Sequence, residues 1–547
     1  MQDVSFELKH PTFQFYGHTF TLYIHTFENA YGLDADRCRV TRDENSMTIT
    51  ADGLTWANGQ EKAEGSAVIH VYKSTDGQSV RFRVQASAGS KKLRSVKLLL
   101  EGIADGEVIN LRETPSKAIE GSGLLLHYPE GWRNLYTPLV VMKTSEDRLF
   151  YYRSLDSTVR DKRFAFLRTA KGLTAELIFE EDAVRMQNEV VVPEWEIGEC
   201  PSLEAISALH HRETEKHYDL EPWETRQDVP AWAREISLVA AIHMQHWNGY
   251  IFNDYKKTGD TLEWLAERMD PKRILAYLPG WEGRYYWQYG DFRPDPRMGG
   301  EAGFEELMSR AKKLGIRVMP MFGMNVVNPG LENFEQWGAP SRAHTAGGFP
   351  ITGSVDWDGS RHYDHASNAF LNPGAPGWQN RLAGQIGKLM DRYGFDGVFL
   401  DISAAWMNDP YYHYYEGFIE LCRKIRENRP DCLIAGEGWY DAAGLGTPLM
   451  QSGHTDGVMH WHDEPYAPLF ETYNRSFGHL CLGAPGKGST GVHEHGYNPD
   501  YRRAPIRKAI IPTVTIVDDT LETAADEVES IIADAKSYAD QFLTITK

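Results

Sequence analysis

The clearest indication of the fold is the segment Gly394-Phe395-Asp396-Gly397-Val398-Phe399-Leu400-Asp401. Its apolar run, residues 398–400, is typical of a buried strand, and Asp401 follows that run directly. Because side chains alternate along a strand, Asp401 and Phe399 are predicted to share one face, while the residues between them point the other way. The octapeptide therefore predicts a buried strand that presents a carboxylate at its carboxyl end.

On both sides of this stretch, short apolar runs alternate with amphipathic helical patterns. Such alternation is typical of β/α units around a parallel sheet. Eight candidate strands within about 310 residues match the strand number and the size of a (β/α)8 barrel with insertions. The predicted strands are Ile236–Met244, Arg273–Gly280, Ile316–Gly323, Gly397–Asp401, Cys432–Glu437, Gly457–Trp461, His479–Leu482 and Ile510–Val517.

The first 200 residues have a different pattern, in which apolar and polar residues alternate between Asp-Gly and Asn-Gly turns. This pattern predicts an antiparallel β-sandwich. A helical segment follows, and then an acidic, proline-containing linker. The sequence therefore predicts a multidomain chain with a sandwich over residues 1–200, a helix and linker over 201–230, and the barrel over 231–547.

Two acids end consecutive predicted strands of the barrel, Asp401 and Glu437. Neighbouring parallel strands lie about 4.8 Å apart and end at the same rim. Retaining glycosidases hold a nucleophile and an acid/base carboxyl group about 5–5.5 Å apart. We therefore predict Asp401 as the nucleophile and Glu437 as the acid/base. Asp463, which follows the sixth predicted strand, is the alternative acid/base or a third carboxylate that holds the sugar.

Residues 393–401 (YGFDGVFLD) resemble the nucleophile strand of α-glycosidase barrels of the α-amylase, endo-α-N-acetylgalactosaminidase and α-galactosidase types. Residues 314–320 (LGIRVMP), 372–378 (NPGAPGW) and 436–439 (GEGW) are similar to other segments of these barrels, the last to the acid/base strand. The resemblance implies retaining cleavage of an α-linked sugar. The sequence departs from the amylase-type motifs at Phe399, where they have arginine, and at Trp461, which precedes His462-Asp463. The identity of the sugar therefore does not follow from the resemblance.

Aromatic and polar residues cluster around the ends of the predicted strands. Aromatic rings stack on the C–H faces of sugars, and polar side chains bind their hydroxyl groups. Packing explains any single one of these residues equally well, so the clustering is the indication of a carbohydrate substrate. The predicted substrate-binding residues are Trp247, Asp254, Trp281, Asp291, Asn325, Trp406, Trp439, Trp461 and His462.

Composition limits the partners and the location. A net charge of −20 argues against a nucleic-acid partner. The sequence has no apolar stretch of about 18 residues that could span a membrane. The N-terminus lacks the basic and apolar regions of a signal peptide, and the five cysteines form no Cys-x-x-Cys pair. A cytoplasmic location is therefore expected, and the oligomeric state is not predicted.

Two alternative functions remain open. One is a carbohydrate-binding barrel without catalysis. The other is a metal-dependent hydrolase, for which His-x-His pairs occur at residues 460–462 and 493–495. The first predicted strand offers only His243 and His246, whose spacing does not suit one face of a strand. We therefore favour a glycosidase with no metal and no other cofactor.

Overall fold

A computed structural model of the chain describes residues 10–75, 77–111, 116–129, 131, 135–245, 249–283, 287–354, 367–451, 467–478 and 506–543. Within these ranges the chain forms two antiparallel nine-stranded sheets, one parallel nine-stranded sheet and a small three-stranded sheet. The small sheet, which follows the third parallel strand, consists of Val326–Val327, Thr352–Ser354 and Ser367–Phe370.

The two antiparallel sheets pack face to face, which confirms the predicted antiparallel β-sandwich. Phe20 of one sheet and Phe82 of the other are buried in one hydrophobic cluster, with ring centroids 5.4 Å apart. The first sheet consists of Phe13–Phe15, His18–Thr26, Ala30–Leu33, Leu54–Trp56, Glu61–Ala63, Leu93–Ile103, Gly123–Tyr128, Lys162–Thr169 and Gly172–Glu180. The second consists of Cys38–Arg42, Ser46–Ala51, Ser66–Lys73, Ser79–Ser87, Gly106–Val108, Lys117–Ala118, Leu139–Thr144, Leu149–Ser154 and Glu189–Cys200.

The parallel sheet curls into a nearly closed barrel. Its last two short strands flank Pro512, and they pair with the seventh and the first strands, at opposite ends of the sheet order. The rings of Tyr277, Phe399 and Phe477 meet inside the barrel, which confirms the predicted inward face of Phe399. The strands are Leu238–Ile242, Ile274–Leu278, Arg317–Gly323, Gly397–Asp401, Leu433–Glu437, Leu449–Gln451, Arg475–Phe477, Ile510–Ile511 and Thr513–Ile516.

Helices surround the barrel and bury their apolar faces against it. Leu307 and Ile386, for example, lie on two different helices and belong to the same buried cluster as the barrel strands. The α-helices of the described residues are Leu203–Tyr218, Tyr255–Ala266, Gly300–Leu314, Phe334–Trp337, Pro376–Tyr393, Tyr414–Arg426, Ala467–Tyr473, Thr520–Thr523 and Ala525–Phe542.

The prediction was wrong for the sixth and seventh barrel strands. These positions are occupied by Leu449–Gln451 and Arg475–Phe477, which come earlier in the chain than the predicted segments. Each strand has only three residues, and the seventh begins with arginine and serine, so neither carries the apolar run that periodicity detects. The predicted segments Gly457–Trp461 and His479–Leu482 lie outside the described residues.

The sandwich packs against the barrel rim where the fourth and fifth strands end. The ring of Trp439 stacks on Tyr136 of the sandwich at a centroid distance of 5.5 Å, and its amide donates to the carbonyl of Gly131 at 2.8 Å. In the loop after the fourth strand, Asn408 Oδ1 accepts a 2.7 Å hydrogen bond from the amide of Ala183. The sandwich therefore holds both loops that follow the two predicted acids.

Asp441 is a buried acid at this contact between sandwich and barrel. Its two carboxylate oxygens accept hydrogen bonds of 2.7 Å from the hydroxyls of Tyr128 and Thr137. Burial raises the pKa of Asp441 to about 6, although these hydrogen bonds and the charge of Lys162 act in the opposite direction. The folded protein therefore holds the Asp441 proton at pH values where the unfolded chain has released it.

We expect this proton to make the free energy of unfolding fall as pH rises from about 4 to about 6. A shift of about two pKa units corresponds to roughly 3 kcal/mol. Asp441→Asn does not titrate and should lack this decline, which urea unfolding of both proteins at pH 4 and pH 7 would measure. Other carboxyl groups affect both proteins alike, so parallel pH profiles would contradict the prediction.

Candidate active site

Asp401 ends the fourth barrel strand, where 8% of its surface is exposed. Its Oδ2 atom accepts a 2.9 Å hydrogen bond from the hydroxyl of Tyr289. The ring of Tyr289 lies against Gly323, which is the register partner of Asp401 on the third strand. A Cβ at Gly323 would lie 2.2 Å from this ring, so glycine leaves the space through which the tyrosine reaches the carboxylate.

Glu437 ends the fifth strand and is 9% exposed. Leu400 and Gly436 are register partners, so Asp401 and Glu437 follow at neighbouring positions on the same rim. The Oε2 atom of Glu437 accepts a 3.0 Å hydrogen bond from the amide of Ile402, the residue next to Asp401. The structure thus brings the two predicted acids together, and their catalytic roles stay a prediction.

The backbone beside both acids adopts left-handed conformations. Ile402 has a φ of 58°, which is rare for a β-branched residue, and its amide donates to Glu437. Gly438 has a φ of 74°, and a Cβ there would lie 2.8 Å from the carbonyl oxygen of Gly131 in the sandwich. Backbone strain of this kind is concentrated at functional sites. It turns the Ile402 amide towards Glu437 and lets the sandwich approach the rim closely.

A third buried acid, Glu282, was not predicted from the sequence. It lies beyond the second barrel strand and is 1% exposed. Burial raises the pKa of Glu282 well above its usual value, and the negative charges of Asp401 and Asp295 raise it further. Because Glu282 stands next to Gly283 after the strand, the sequence pattern is that of a solvated turn, and only the tertiary structure reveals its burial.

Three of the predicted substrate-binding residues are buried by packing. Trp281 is fully buried, and its indole N–H donates to the carbonyl of Met321 at 2.8 Å. Trp439 lies against the sandwich, as described above. Asn325 donates from its side-chain nitrogen to the hydroxyl of Tyr414 and, at 3.3 Å, to the carbonyl of Ile402. Asn325 thereby braces the loop that follows Asp401, and a direct role of these three in substrate binding stays a prediction.

Other predicted residues lie nearer the surface. Asp254 is exposed and caps the helix Tyr255–Ala266 by accepting a 2.7 Å hydrogen bond from the amide of Lys257. Asp291 and Trp406 are half-buried. The remaining predicted residues lie outside the described residues: Trp247, Trp461, His462 and Asp463.

The described residues include neither a candidate metal site nor a candidate membrane span. No group of three His, Cys, Asp or Glu side chains that could hold a metal occurs in the described ranges. The His-x-His pairs at 460–462 and 493–495 lie outside these ranges. In the same part of the chain, no helix has the length and hydropathy needed to cross a membrane.

Solved structures of glycosidases resemble this chain over nearly its whole length. The α-N-acetylgalactosaminidase NagBb from Bifidobacterium bifidum, solved with GalNAc, matches 96% of this chain and 90% of its own, with a TM-score of 0.65 and 12% identity. The chain shares the fold of these enzymes. The GH36 α-galactosidase AgaA from Geobacillus stearothermophilus matches 95% of this chain and 75% of its own, with a TM-score of 0.53 and 12% identity.

The galactosidase domain of the α-galactosidase-sucrose kinase AgaSK is also similar. It matches 95% of this chain and 74% of its own, with a TM-score of 0.54 and 14% identity. No protein-family model and no curated protein sequence matches the chain. At identities this low the comparisons establish the common fold, and the function has to be argued from the site.

Proposed function

We propose that this protein is a retaining glycosidase that cleaves an α-linked sugar within a (β/α)8 barrel. The observation that carries the proposal is the pair of acids at neighbouring strand ends, with Glu437 bound to the amide next to Asp401. Adjacent parallel strands lie about 4.8 Å apart, a spacing that suits the carboxyl separation of about 5–5.5 Å in a double displacement. The fold shared with solved α-glycosidases also supports a glycosidase that acts on an α-linked sugar.

In the proposed reaction, a carboxylate oxygen of Asp401 attacks the anomeric carbon while the bond from that carbon to the leaving oxygen breaks. Glu437 gives its proton to the leaving oxygen, and a covalent glycosyl ester forms on Asp401. Glu437, now ionised, takes a proton from water, whose oxygen attacks the anomeric carbon and releases Asp401. The Tyr289 hydroxyl, 2.9 Å from Asp401 Oδ2, orients the nucleophile.

We propose α-galactosides or α-N-acetylgalactosaminides as the substrate class, because the similar solved structures bear the names of enzymes for these sugars.

We also propose the division of the chain into a sandwich (1–200), a helix and linker (201–230) and a barrel (231–547). The contacts of Trp439 and Asn408 with the sandwich support a role for that domain in shaping the site.

The stereochemistry of hydrolysis tests this function. With an aryl α-galactoside and an aryl α-N-acetylgalactosaminide, we expect the α-anomer of the free sugar to appear first, because two inversions restore the original configuration. Proton NMR during the first minutes would detect it before mutarotation. The β-anomer as first product would contradict the double displacement, and no hydrolysis of any α-glycoside in a broader panel would contradict the function. The corresponding aryl β-glycosides serve as controls.

A further inference from the structure

Glu282 is near enough to Asp401 for the negative charge of Asp401 to raise its pKa, and its neighbours hold it in place. Trp281, the residue before it, donates from its indole N–H to Met321 and accepts at its carbonyl a 2.7 Å hydrogen bond from the hydroxyl of Tyr255. The same hydroxyl accepts a 2.7 Å hydrogen bond from the amide of Asp295. This network fixes the backbone that precedes the acid and ties it to Asp295. The position of Glu282 is therefore fixed by hydrogen bonds of the surrounding barrel residues.

The carboxyl group of Glu282 lacks a hydrogen-bond partner of good geometry among the described residues, and neither oxygen is exposed. After burial, the strongest influence on its pKa is its own backbone amide, which lies near the carboxyl group and lowers the pKa. Buried polar groups are hydrogen-bonded in the great majority of cases, and one without a partner is costly. An acid retained in this state beside a candidate nucleophile points to a ligand that supplies the partner.

The neighbouring acid Asp295, unlike Glu282, has hydrogen-bond partners for its carboxylate. It accepts hydrogen bonds of 3.0 Å from Gln245 and from Arg297. Both Asp295 and Glu282 line a cleft of about 690 Å³, together with Trp287 and Arg297. Of the two arginines that line this cleft, Arg297 pairs with Asp295 and Arg293 lies 3.7 Å from Asp291. Neither pairs with the carboxyl group of Glu282, which is left to hydrogen-bond to an occupant.

We propose that Glu282 is a specificity-determining residue that binds a hydroxyl group of the sugar held at Asp401. The inference rests on the proposed function and names one further contact of that site. A neutral carboxylic acid donates one hydrogen bond and accepts others, and a sugar hydroxyl does the same, so the two groups are complementary. Burial and the charge of Asp401, which raise the pKa of Glu282, favour this neutral form.

A thermodynamic cycle that combines a substitution at Glu282 with removal of one substrate hydroxyl tests whether the two groups are in contact. The rate constant kcat/KM is measured for the wild type and for Glu282→Leu, on the parent aryl α-glycoside and on the analogues that each lack one hydroxyl. We expect one analogue to lose about 10- to 100-fold with the wild type, because it leaves a buried polar group unpaired. The leucine variant should lose a similar factor on the parent and nothing further on that analogue.

Glu282→Gln tests the protonation state, because its amide also donates and accepts. We expect it to keep kcat/KM on the parent within about tenfold, and to lose any alkaline decline that comes from ionisation of Glu282. Glu305→Leu is the matched control, since Glu305 is an exposed acid that pairs with Arg392 at 2.8 Å, and it should behave as the wild type. If the Glu282→Leu protein does not fold, Glu282→Asp, which withdraws the carboxyl group by one methylene, replaces it in the cycle.

The outcomes distinguish a failure of the inference about Glu282 from a failure of the proposed glycosidase function. If the wild type hydrolyses the parent glycoside but the losses from Glu282→Leu and from every missing hydroxyl simply multiply, the inference about Glu282 is overturned and the glycosidase stands. A buried water molecule as the true partner of Glu282 would give this result. If the wild type hydrolyses no glycoside, the proposed function fails and the inference fails with it.

Discussion

Asp401→Asn is expected to lower kcat/KM for an aryl α-glycoside by about 10⁴-fold or more, which is the scale of losing a catalytic nucleophile. The amide has nearly the shape of the carboxylate and can keep a contact with the Tyr289 hydroxyl, so the fold and the binding of the sugar should persist. The loss should therefore appear in kcat, with little change in the affinity for the product sugar.

Single-turnover kinetics with an activated aryl glycoside, together with a thermal melt, would measure this effect. Asp396→Asn is a matched control, because Asp396 lies five residues before Asp401 and pairs with Arg317 at 2.6 Å. It should change stability rather than the chemical step. A folded Asp401→Asn protein that keeps more than a tenth of the wild-type rate would remove Asp401 from the nucleophile position. A 2-deoxy-2-fluoro glycoside that traps the ester would locate the modified residue directly.

The second large effect is expected for Glu437→Gln, and it should depend on the leaving group. With a poor leaving group such as an alkoxide, kcat should fall by about 10²- to 10⁴-fold, because no proton reaches the departing oxygen. A dinitrophenyl glycoside should be affected much less in its first step, since its leaving oxygen needs no proton. The ester on Asp401 should then accumulate, because water no longer has a base.

Azide gives the clearest readout of the acid/base. As a small anion it attacks the ester without a base, so it should restore turnover of the dinitrophenyl glycoside by Glu437→Gln and yield the α-glycosyl azide. Asp463→Asn is the matched variant, because Asp463 is the alternative acid/base. Rescue of Asp463→Asn by azide, with none for Glu437→Gln, would transfer the acid/base role to Asp463.

Strands and helices could be predicted from the sequence where a local pattern of apolar residues marks them. The fourth strand was predicted with the bounds observed, Gly397–Asp401, and the fifth within one residue, because each is an apolar run that ends in an acid. The amphipathic period of residues 378–393 predicts a helix there, and the observed helix begins two residues earlier, at Pro376. The sixth and seventh strands were missed because three residues, Leu449–Gln451 in one case, carry too little periodicity to detect.

The burial of a side chain, in contrast, depends on which helices, strands and loops pack against it, and local sequence patterns do not reveal this packing. Trp281 and Trp439 look alike as aromatics at strand ends, yet one packs beneath a helix against Phe304 and the other against the sandwich residue Tyr136. Glu282 looks like a solvated turn residue, yet it is 1% exposed beside Asp401. Long-range packing decided each of these environments.

Local sequence patterns alone were enough to predict alternating strands and helices, a sandwich ahead of a barrel, and acids at the ends of two neighbouring strands. These features follow from side-chain periodicity over a few residues, which any stretch of chain carries within itself. Three contacts become apparent only in the folded protein: the Ile402 amide binds Glu437, Tyr289 reaches Asp401, and the sandwich holds the adjoining loops. Those contacts join residues that lie far apart in the chain, and they form only when the whole core is packed.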